Sequence, residues 1–209
     1  LELYLNKSDH VYGAVFHKRV DGFLQTSTQS LAYQGTTYTV STPSNGADGS
    51  IKGIEVGYQA FFTSLPGALR GLGLQANATY VDSSAPGAIA GQKTQLEGLS
   101  RSSFNVVGMY DYEQVALRLA YNYRSKYLAG VSNYYPSNGT VIAQTPVFLK
   151  GYGMLDAYAS WAITPQLKLA VEANNLTRRV RQSTYGVGNL ARGTYADDRR
   201  YAVSLHLDL

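Results

Sequence analysis

The last nine residues of the chain alternate without error between apolar and polar side chains. Large apolar residues occupy every odd position from Tyr201 to Leu209, and small or polar residues occupy the even ones. Because successive side chains of a strand point to opposite faces, this period of two predicts a β-strand with one apolar face. The same alternation recurs at residues 54–62, 72–80, 104–110, 117–124, 155–163 and 167–174.

Two more strands are predicted near the start of the chain. Residues 1–5 fit a short strand, and a longer one is expected within residues 10–24, where both phases carry apolar residues and the apolar face is ambiguous. Together the segments predict about nine strands, and no segment favours a helix. The fold class expected is therefore all-β, with antiparallel strands.

The composition excludes several classes of protein. No stretch approaches the roughly 18 consecutive apolar residues of a membrane-spanning helix. The absence of cysteine removes disulfides, thiolate zinc sites and cysteine nucleophiles. The formal charge of +4 is scattered rather than clustered, which argues against nucleic acid. The histidines His10, His17 and His206 lie on distant segments, so we expect no metal site and no enzymatic activity.

The connections between the predicted strands alternate between short and long. Tight turns are expected at residues 6–9, 65–69, 111–113 and 164–166, and long polar links near 28–48, 83–98, 128–147 and 176–196. Outer-membrane β-barrels have this arrangement, with short periplasmic turns and long extracellular loops. The pattern therefore predicts transmembrane strands.

Aromatic residues lie at the ends of the apolar phase of these strands. Some precede the short turns and others approach the long links, with aliphatic residues between them; the two sets are Phe62, Tyr110 and Trp161, and Tyr80, Tyr121, Tyr123 and Tyr201. Aromatic belts at both membrane interfaces explain this distribution. The alternatives are a soluble β-sandwich, whose apolar face packs on a second sheet, and a smaller passive porin or structural barrel.

An odd number of strands cannot close an antiparallel barrel, because the first and last strands would then run parallel. We therefore expect residues 1–209 to be the C-terminal segment of a larger barrel whose other strands precede it.

Several segments are similar to one known family, in order and in spacing. They are Ile51-Lys-Gly-Ile-Glu-Val-Gly-Tyr58, Leu65-Pro-Gly67, Gly71-Leu-Gly-Leu-Gln-Ala-Asn-Ala-Thr-Tyr80, Leu99-Ser100 through Asn105 to Tyr110, Arg118-Leu-Ala-Tyr-Asn-Tyr-Arg124, Leu155-Asp156, Asn174-Asn-Leu-Thr177 and Arg200-Tyr201. In this way the chain resembles the TonB-dependent receptors of Gram-negative outer membranes. One departure is Leu209, where the family usually ends in Phe or Trp.

This resemblance implies a barrel of about 22 strands with a plugged lumen. It also implies energy-coupled uptake of a scarce nutrient in the outer membrane, with a carbohydrate as the favoured ligand and a ferric siderophore as the next. The partners implied are outer-membrane lipid and lipopolysaccharide, the plug domain, the TonB complex through a region outside these residues, and a small molecule or oligosaccharide. No cofactor and no covalent chemistry are implied.

The polar phase of the strands supplies candidates for the lumen wall, where side chains contact a plug or water. They are Glu55, Asn77, Arg118, Asn122, Arg124, Asp156, Glu172, Asn174 and Arg200. On the lipid side, an Arg or Lys near the bilayer midplane costs about 2–4 kcal/mol. We therefore expect these charges to face inwards.

The long links supply candidates for ligand binding. They are Tyr33, Tyr38, Tyr127, Tyr134, Tyr135, Tyr185, Arg192 and Tyr195. Tyrosine rings can stack on sugars or pack against chelators, but they can equally line the outer membrane interface. Arg192 could bind an anionic ligand or a phosphate of lipopolysaccharide.

Overall fold

The computed structural model describes residues 1–6, 8–22, 24–45, 47–87, 93–136, 139 and 142–208. Leu209, the last position of the predicted alternation, lies outside them. Within the described residues the chain forms sixteen strands and a short 3-10 helix at Gly67–Gly71. The strands are β1 (Glu2–Tyr4), β2 (His10–Val20), β3 (Leu24–Tyr33), β4 (Thr36–Asn45), β5 (Gly49–Phe61), β6 (Leu72–Pro86), β7 (Lys93–Thr94), β8 (Ser102–Tyr112), β9 (Val115–Arg124), β10 (Tyr127–Tyr134), β11 (Ile142–Leu149), β12 (Tyr152–Ala162), β13 (Leu167–Asn174), β14 (Val180–Tyr185), β15 (Ala191–Ala196) and β16 (Arg200–Leu207).

Nine of these strands form one antiparallel sheet, which we call the main sheet. Their order is β1-β2-β5-β6-β8-β9-β12-β13-β16, and the short β7 pairs with the end of β6. Within the main sheet, each strand pairs with the strand of the same sheet that follows it in the sequence. The nine match the nine predicted segments, and the all-β antiparallel fold class is confirmed. No helix in the described ranges has the length and apolar character needed to cross a membrane.

The pairing register keeps the predicted apolar and polar phases on separate faces of the main sheet. Val171 lies opposite Ala159 and Val203. The adjacent Glu172 lies opposite Tyr158 and Ala202, on the other face. We call the two sides the apolar face and the polar face. A slip of one residue in any strand would exchange them, because the side-chain period is two.

The register also resolves the ambiguity in β2. Val15 is paired with Ile54, and Val11 with Tyr58, so the odd positions of β2 belong to the apolar face. The even position Tyr12 lies on the polar face, where its hydroxyl donates a hydrogen bond to Glu55 at 3.1 Å. The sequence alone left both phases open because each carries apolar residues.

No second layer of protein covers the apolar face in the described part of the chain. Its side chains remain strongly exposed, including Leu119 at 50%, Val171 at 42% and Val203 at 72%. The buried apolar residues described are few and do not form a central core; they are Ala60, Val81, Ala85, Leu128 and Val147. A β-sandwich would bury this face against a second sheet. A continuous exposed apolar surface of this kind is a membrane or partner surface.

The connections segregate by length, as predicted. At the short-turn end, β1–β2, β8–β9 and β12–β13 are joined by links of two to five residues, and β5–β6 by residues 62–71, which include the 3-10 helix. At the opposite, long-connection end lie the four long segments. Several boundaries differ from the prediction: β5 begins at Gly49, β6 continues to Pro86, and β8 continues through Tyr112, so its turn is formed by Glu113 and Gln114. Glu113 has a left-handed φ of 52°, which the sequence does not signal.

The long connections contain strands that the sequence analysis did not predict. They contain seven of the sixteen strands described, β3, β4, β7, β10, β11, β14 and β15. β3 and β4 form a hairpin whose two turn residues, Gln34 and Gly35, have φ values of 50° and 76°. Two-residue turns with positive φ match the twist of a hairpin. Thr and Tyr are common in strands although they are polar, so the polar character of these segments did not exclude strands.

Two of the long connections are joined to each other. β10 and β11, which link β9 to β12, form a four-stranded sheet with β14 and β15, which link β13 to β16. The joining pair is β11–β14, through Val147 opposite Tyr185 and Leu149 opposite Ser183. We call this the loop sheet. It gives the long-connection end a defined structure over β9, β12 and β13.

Replacing Val171 with arginine in the full-length protein tests the assignment of faces. A guanidinium on the lipid side near midplane costs about 2–4 kcal/mol, so V171R should sharply reduce the heat-modifiable, folded form recovered from outer membranes. Ser204 lies on the polar face beside Val203, so S204R should assemble normally. Normal assembly of V171R with impaired assembly of S204R would show that the faces are assigned the wrong way round, and equal assembly of the two variants would contradict a lipid-facing side.

Candidate ligand-binding site

A cavity of about 450 Å³ lies on the polar face towards the long-connection end. We call it the polar pocket. Its lining combines strand residues of β6, β8, β9 and β12 with residues of the long connections: Thr79, Val81, Leu99, Ser100, Ser103, Asn105, Asn122, Tyr123, Arg124, Tyr152, Met154 and Arg179. Arginine, hydroxyl, amide and phenol groups therefore converge on one cavity, which suits a polar ligand that carries negative charge.

The wall of the polar pocket follows from the strand register. Asn77, Asn105 and Asn122 occupy successive paired positions on β6, β8 and β9. The Nδ2 of Asn105 donates a hydrogen bond to Oδ1 of Asn77 at 2.7 Å. One row further towards the long connections, Arg124 is paired with Ser103. Amide side chains thus form a row across three strands, and Arg124 lies in the next row towards the long connections.

Arg124 is held in place by neutral groups. Its Nε donates to Ser100 Oγ at 2.8 Å, and its Nη2 donates to the Gly98 carbonyl oxygen. The guanidinium lies 3.9 Å from the centre of the Tyr127 ring. Within the part of the chain that the structure describes, none of the ion pairs includes Arg124. The positive charge in the pocket wall is therefore oriented but not neutralised.

The second arginine of the pocket is neutralised. Arg179 lies 5.0 Å from the centre of the Tyr152 ring and donates to Asp197. Arg181 donates to the other oxygen of Asp197 at 2.9 Å. These two hydrogen-bonded guanidinium groups, Arg181 first, hold the pKa of Asp197 below its ordinary value of 3.8. In return, the carboxylate raises the pKa of Arg181.

Asn175 joins the end of β13 to the residues around Asp197. It is buried and has a left-handed φ of 59°, which asparagine tolerates better than most residues. Its Nδ2 donates to the carbonyl oxygens of Asp197 and Asp198 at 3.0 and 3.1 Å. Its Oδ1 accepts from the Arg179 backbone N–H, and its own N–H donates to Asp156 Oδ1 at 2.8 Å. These bonds anchor both ends of the long connection that contains β14 and β15.

The structure brings together some of the predicted loop residues. The rings of Tyr134 on β10 and Tyr185 on β14 have centroids 4.9 Å apart. Tyr127 packs on Arg124, and Tyr195 on β15 lies opposite Arg181 in the loop sheet. The remaining candidates lie apart from this group: Tyr33 and Tyr38 on the β3–β4 hairpin, Tyr135 after β10, and Arg192, exposed on β15.

The predicted lumen residues lie on the polar face, and several already have partners within the chain. Glu55 accepts from Tyr12, Asn77 accepts from Asn105, and Asp156 accepts from Asn175. Asn122 and Arg124 line the polar pocket. The others are set by register: Arg118 and Glu172 flank Tyr158, and Asn174 lies opposite Arg200.

Sequence reasoning missed Ser100, Tyr152, Asn175, Arg179 and Asp197. All five lie at strand ends or in long connections, where the alternation of apolar and polar residues does not predict where a side chain lies. Asn175 could have been suspected, because an asparagine directly after a strand often adopts a left-handed conformation and caps the turn. The Arg179–Asp197 pair spans the β14–β15 hairpin, and only knowledge of that hairpin places its two members side by side.

Comparison with known families matches residues 1–176 to the family model "TonB dependent receptor-like, beta-barrel". Since the match covers most of the chain, the chain belongs to the TonB-dependent receptor β-barrel family. This is a family of receptors and transporters in the outer membranes of Gram-negative bacteria, and not a family of enzymes. The family resemblance inferred from the sequence is confirmed. No curated protein matches the chain.

Two solved structures share the fold. The siderophore receptor PiuA from Acinetobacter baumannii superposes with a TM-score of 0.62 at 15% identity, covering 98% of this chain and 26% of that one. A chain of the FpvAI–pyocin S2 complex superposes with a TM-score of 0.63 at 16% identity, covering 99% and 26%. This chain therefore spans about a quarter of the length of either relative. At such identities the likeness establishes the fold alone.

Neutralising Asp197 should loosen the long connection that carries β14 and β15. In D197N at pH 7, we expect faster amide hydrogen exchange in these two strands and unchanged exchange in β12 and β13. D198N is the matched control, since the described ion pairs include the side chain of Asp197 and not that of Asp198.

The effect has a defined pH dependence. Because the folded chain lowers the pKa of Asp197, the stabilisation is present above the ordinary pKa of 3.8 and is lost as the pH falls through the lower folded value. Wild-type exchange should therefore approach that of D197N only in strong acid. Equal exchange of D197N and wild type at pH 7 would contradict this role.

Proposed function

We propose that this chain is the C-terminal segment of the β-barrel of an energy-coupled outer-membrane receptor, and that the receptor takes up an anionic metal chelate of the siderophore class. The observation that carries the choice of ligand is Arg124, whose side chain lines the polar pocket and has no carboxylate partner among the described residues. The family supports the receptor role. Coupling to TonB, a plug domain and the remaining strands of a barrel of about 22 are parts of this proposal and lie outside residues 1–209.

The two faces of the main sheet support the placement in a membrane. The apolar face would contact lipid, because nothing in the described chain covers it and its exposed residues are aliphatic at the centre. The polar face would line the lumen, where Arg118, Glu172 and Arg200 can bond to water or to a plug. A transmembrane strand of about 10 residues is enough to cross the apolar band. The strands β9, with 10 residues, and β12, with 11, satisfy that requirement.

The electrostatics of the polar pocket support an anionic ligand. Arg124 is fixed by Ser100, Gly98 and Tyr127, so little side-chain freedom is lost when an anion binds. Charge-assisted hydrogen bonds to a carboxylate, hydroxamate or catecholate oxygen are stronger than neutral ones. Tyr152 adds an aromatic surface beside Arg179. PiuA, which shares the fold, is described as a siderophore receptor.

A carbohydrate is the second candidate, favoured by one observation. The paired rings of Tyr134 and Tyr185 form an aromatic surface in the loop sheet, 4.9 Å apart between centroids. Such surfaces stack on sugar rings. A neutral sugar would leave the charge of Arg124 unused, which is why the anionic chelate is preferred.

Replacing Arg124 with glutamine in the full-length receptor tests the proposal. A hydrogen bond to a charged group contributes about 1.5–3 kcal/mol, so R124Q should weaken binding of ferric chelates by about tenfold or more. Binding can be measured by titration with ferric hydroxamates, ferric catecholates and maltodextrins. Arg118 lies on the same strand and face but outside the polar pocket, so R118Q is the matched control.

The outcomes separate the ligand from the receptor. Binding of maltodextrin alone, unaffected by R124Q, would contradict the anionic ligand and leave the receptor role intact. Recovery of the full-length protein from the periplasm without detergent would contradict the membrane placement itself.

A further inference from the structure

A second cavity of about 450 Å³ lies on the opposite, apolar side of the main sheet, towards the short-turn end. We call it the apolar groove. Its lining includes the small residues Gly108, Ala157 and Ala173, together with Leu72, Tyr110 and Leu117. A Cβ atom added at Gly108 would meet nothing within 4 Å, so the space above this residue is open. No described side chain fills it.

The groove exists because small residues occupy neighbouring paired positions. Gly108 lies opposite Leu119, which lies opposite Ala157, which in turn lies opposite Ala173. Leu119 is therefore the one large side chain among these four paired residues. On a lipid-facing surface, a depression of this kind must be filled by hydrocarbon, because an empty cavity forfeits contact with its lining atoms.

A cation lies near the groove, two aromatic rings away from it. Arg70, in the 3-10 helix just before Leu72, places its guanidinium 5.2 Å from the centre of the Tyr112 ring. The centroid of the Tyr112 ring lies 6.4 Å from that of Tyr110, which lines the groove. Among the described residues, none of the ion pairs includes Arg70. Two tyrosine rings thus connect an unneutralised positive charge to the apolar groove.

From this arrangement we propose that the apolar groove binds one phospholipid of the periplasmic leaflet. An acyl chain lies over Gly108 and Ala157, and the lipid phosphate accepts hydrogen bonds from Arg70. Tyr110 and Tyr112 lie between the two, at the level where amphipathic rings favour the membrane interface. The inference rests on the membrane placement proposed above and concerns a site separate from the polar pocket.

The full-length receptor, purified from outer membranes in mild detergent, allows a direct test. Native mass spectrometry with added phosphatidylglycerol measures the fraction of protein that carries one lipid. We expect G108L, which fills the groove, and R70Q, which removes the charge, each to lower that fraction at least about fivefold. Diacylglycerol, which lacks the phosphate, should bind about as weakly to wild type as phosphatidylglycerol binds to R70Q.

Matched variants control for general effects. Ala78 lies on the apolar face opposite Val56 and Phe104 but outside the groove, so A78L should leave the bound fraction unchanged. Arg178 is exposed at the long-connection end, so R178Q should do the same. Inorganic phosphate alone should not displace the lipid, because the acyl chain contributes to binding.

Unchanged lipid binding in R70Q would overturn the proposal, and so would equal binding of diacylglycerol and phosphatidylglycerol to wild type. If G108L fails to assemble, R70Q alone tests the proposal. Arg70 lies in an exposed turn, so its replacement should not disturb assembly. Receptor that assembles in the outer membrane and retains no lipid would contradict this inference only. Failure to reach the outer membrane would contradict the proposed function instead.

Discussion

The register of the main sheet is the constraint on which the other features of this chain depend. Each strand is paired so that apolar positions meet apolar positions, as Val171 does with Ala159 and Val203. A slip of one residue would place charges such as Glu172 on the apolar face. Because that face has no protein cover among the described residues, the driving force that fixes the register must come from an apolar environment outside the chain. The bilayer of the proposed membrane placement would supply it, and a barrel closed by further strands would leave few backbone groups unsatisfied there.

The polar pocket follows from this register and from the loop sheet above it. Alternation brings Asn77, Asn105 and Asn122 into one row, while Arg124 stands at the last paired row of β9, where the strand meets the long connections. There the side chain is fixed by groups that belong to loops, chiefly Ser100. Strands therefore set the depth of each functional group, and the long connections set its orientation and charge balance.

The sequence was sufficient for the main sheet and insufficient for the long-connection end, for a physical reason. Each strand with one apolar and one polar face shows a period of two in its sequence. Residues such as Tyr201 and Val203 could therefore be assigned to a face from the sequence alone. The loop sheet has no such face, and its strands are polar. The Arg179–Asp197 pair and the left-handed Asn175 depend on contacts between distant segments, which no local pattern records.

The central claim is that the apolar face contacts lipid and the polar face does not. Site-directed spin labelling along β13 measures this most directly. Residues 1–209 contain no cysteine, so single labels can be placed in this segment once any cysteine elsewhere in the full-length protein has been replaced. In the full-length protein in liposomes, labels at positions 169, 171 and 173 should collide readily with oxygen and poorly with a water-soluble nickel chelate. Labels at 168, 170 and 172 should give low oxygen accessibility. An alternation of the opposite phase, or none, would contradict the account.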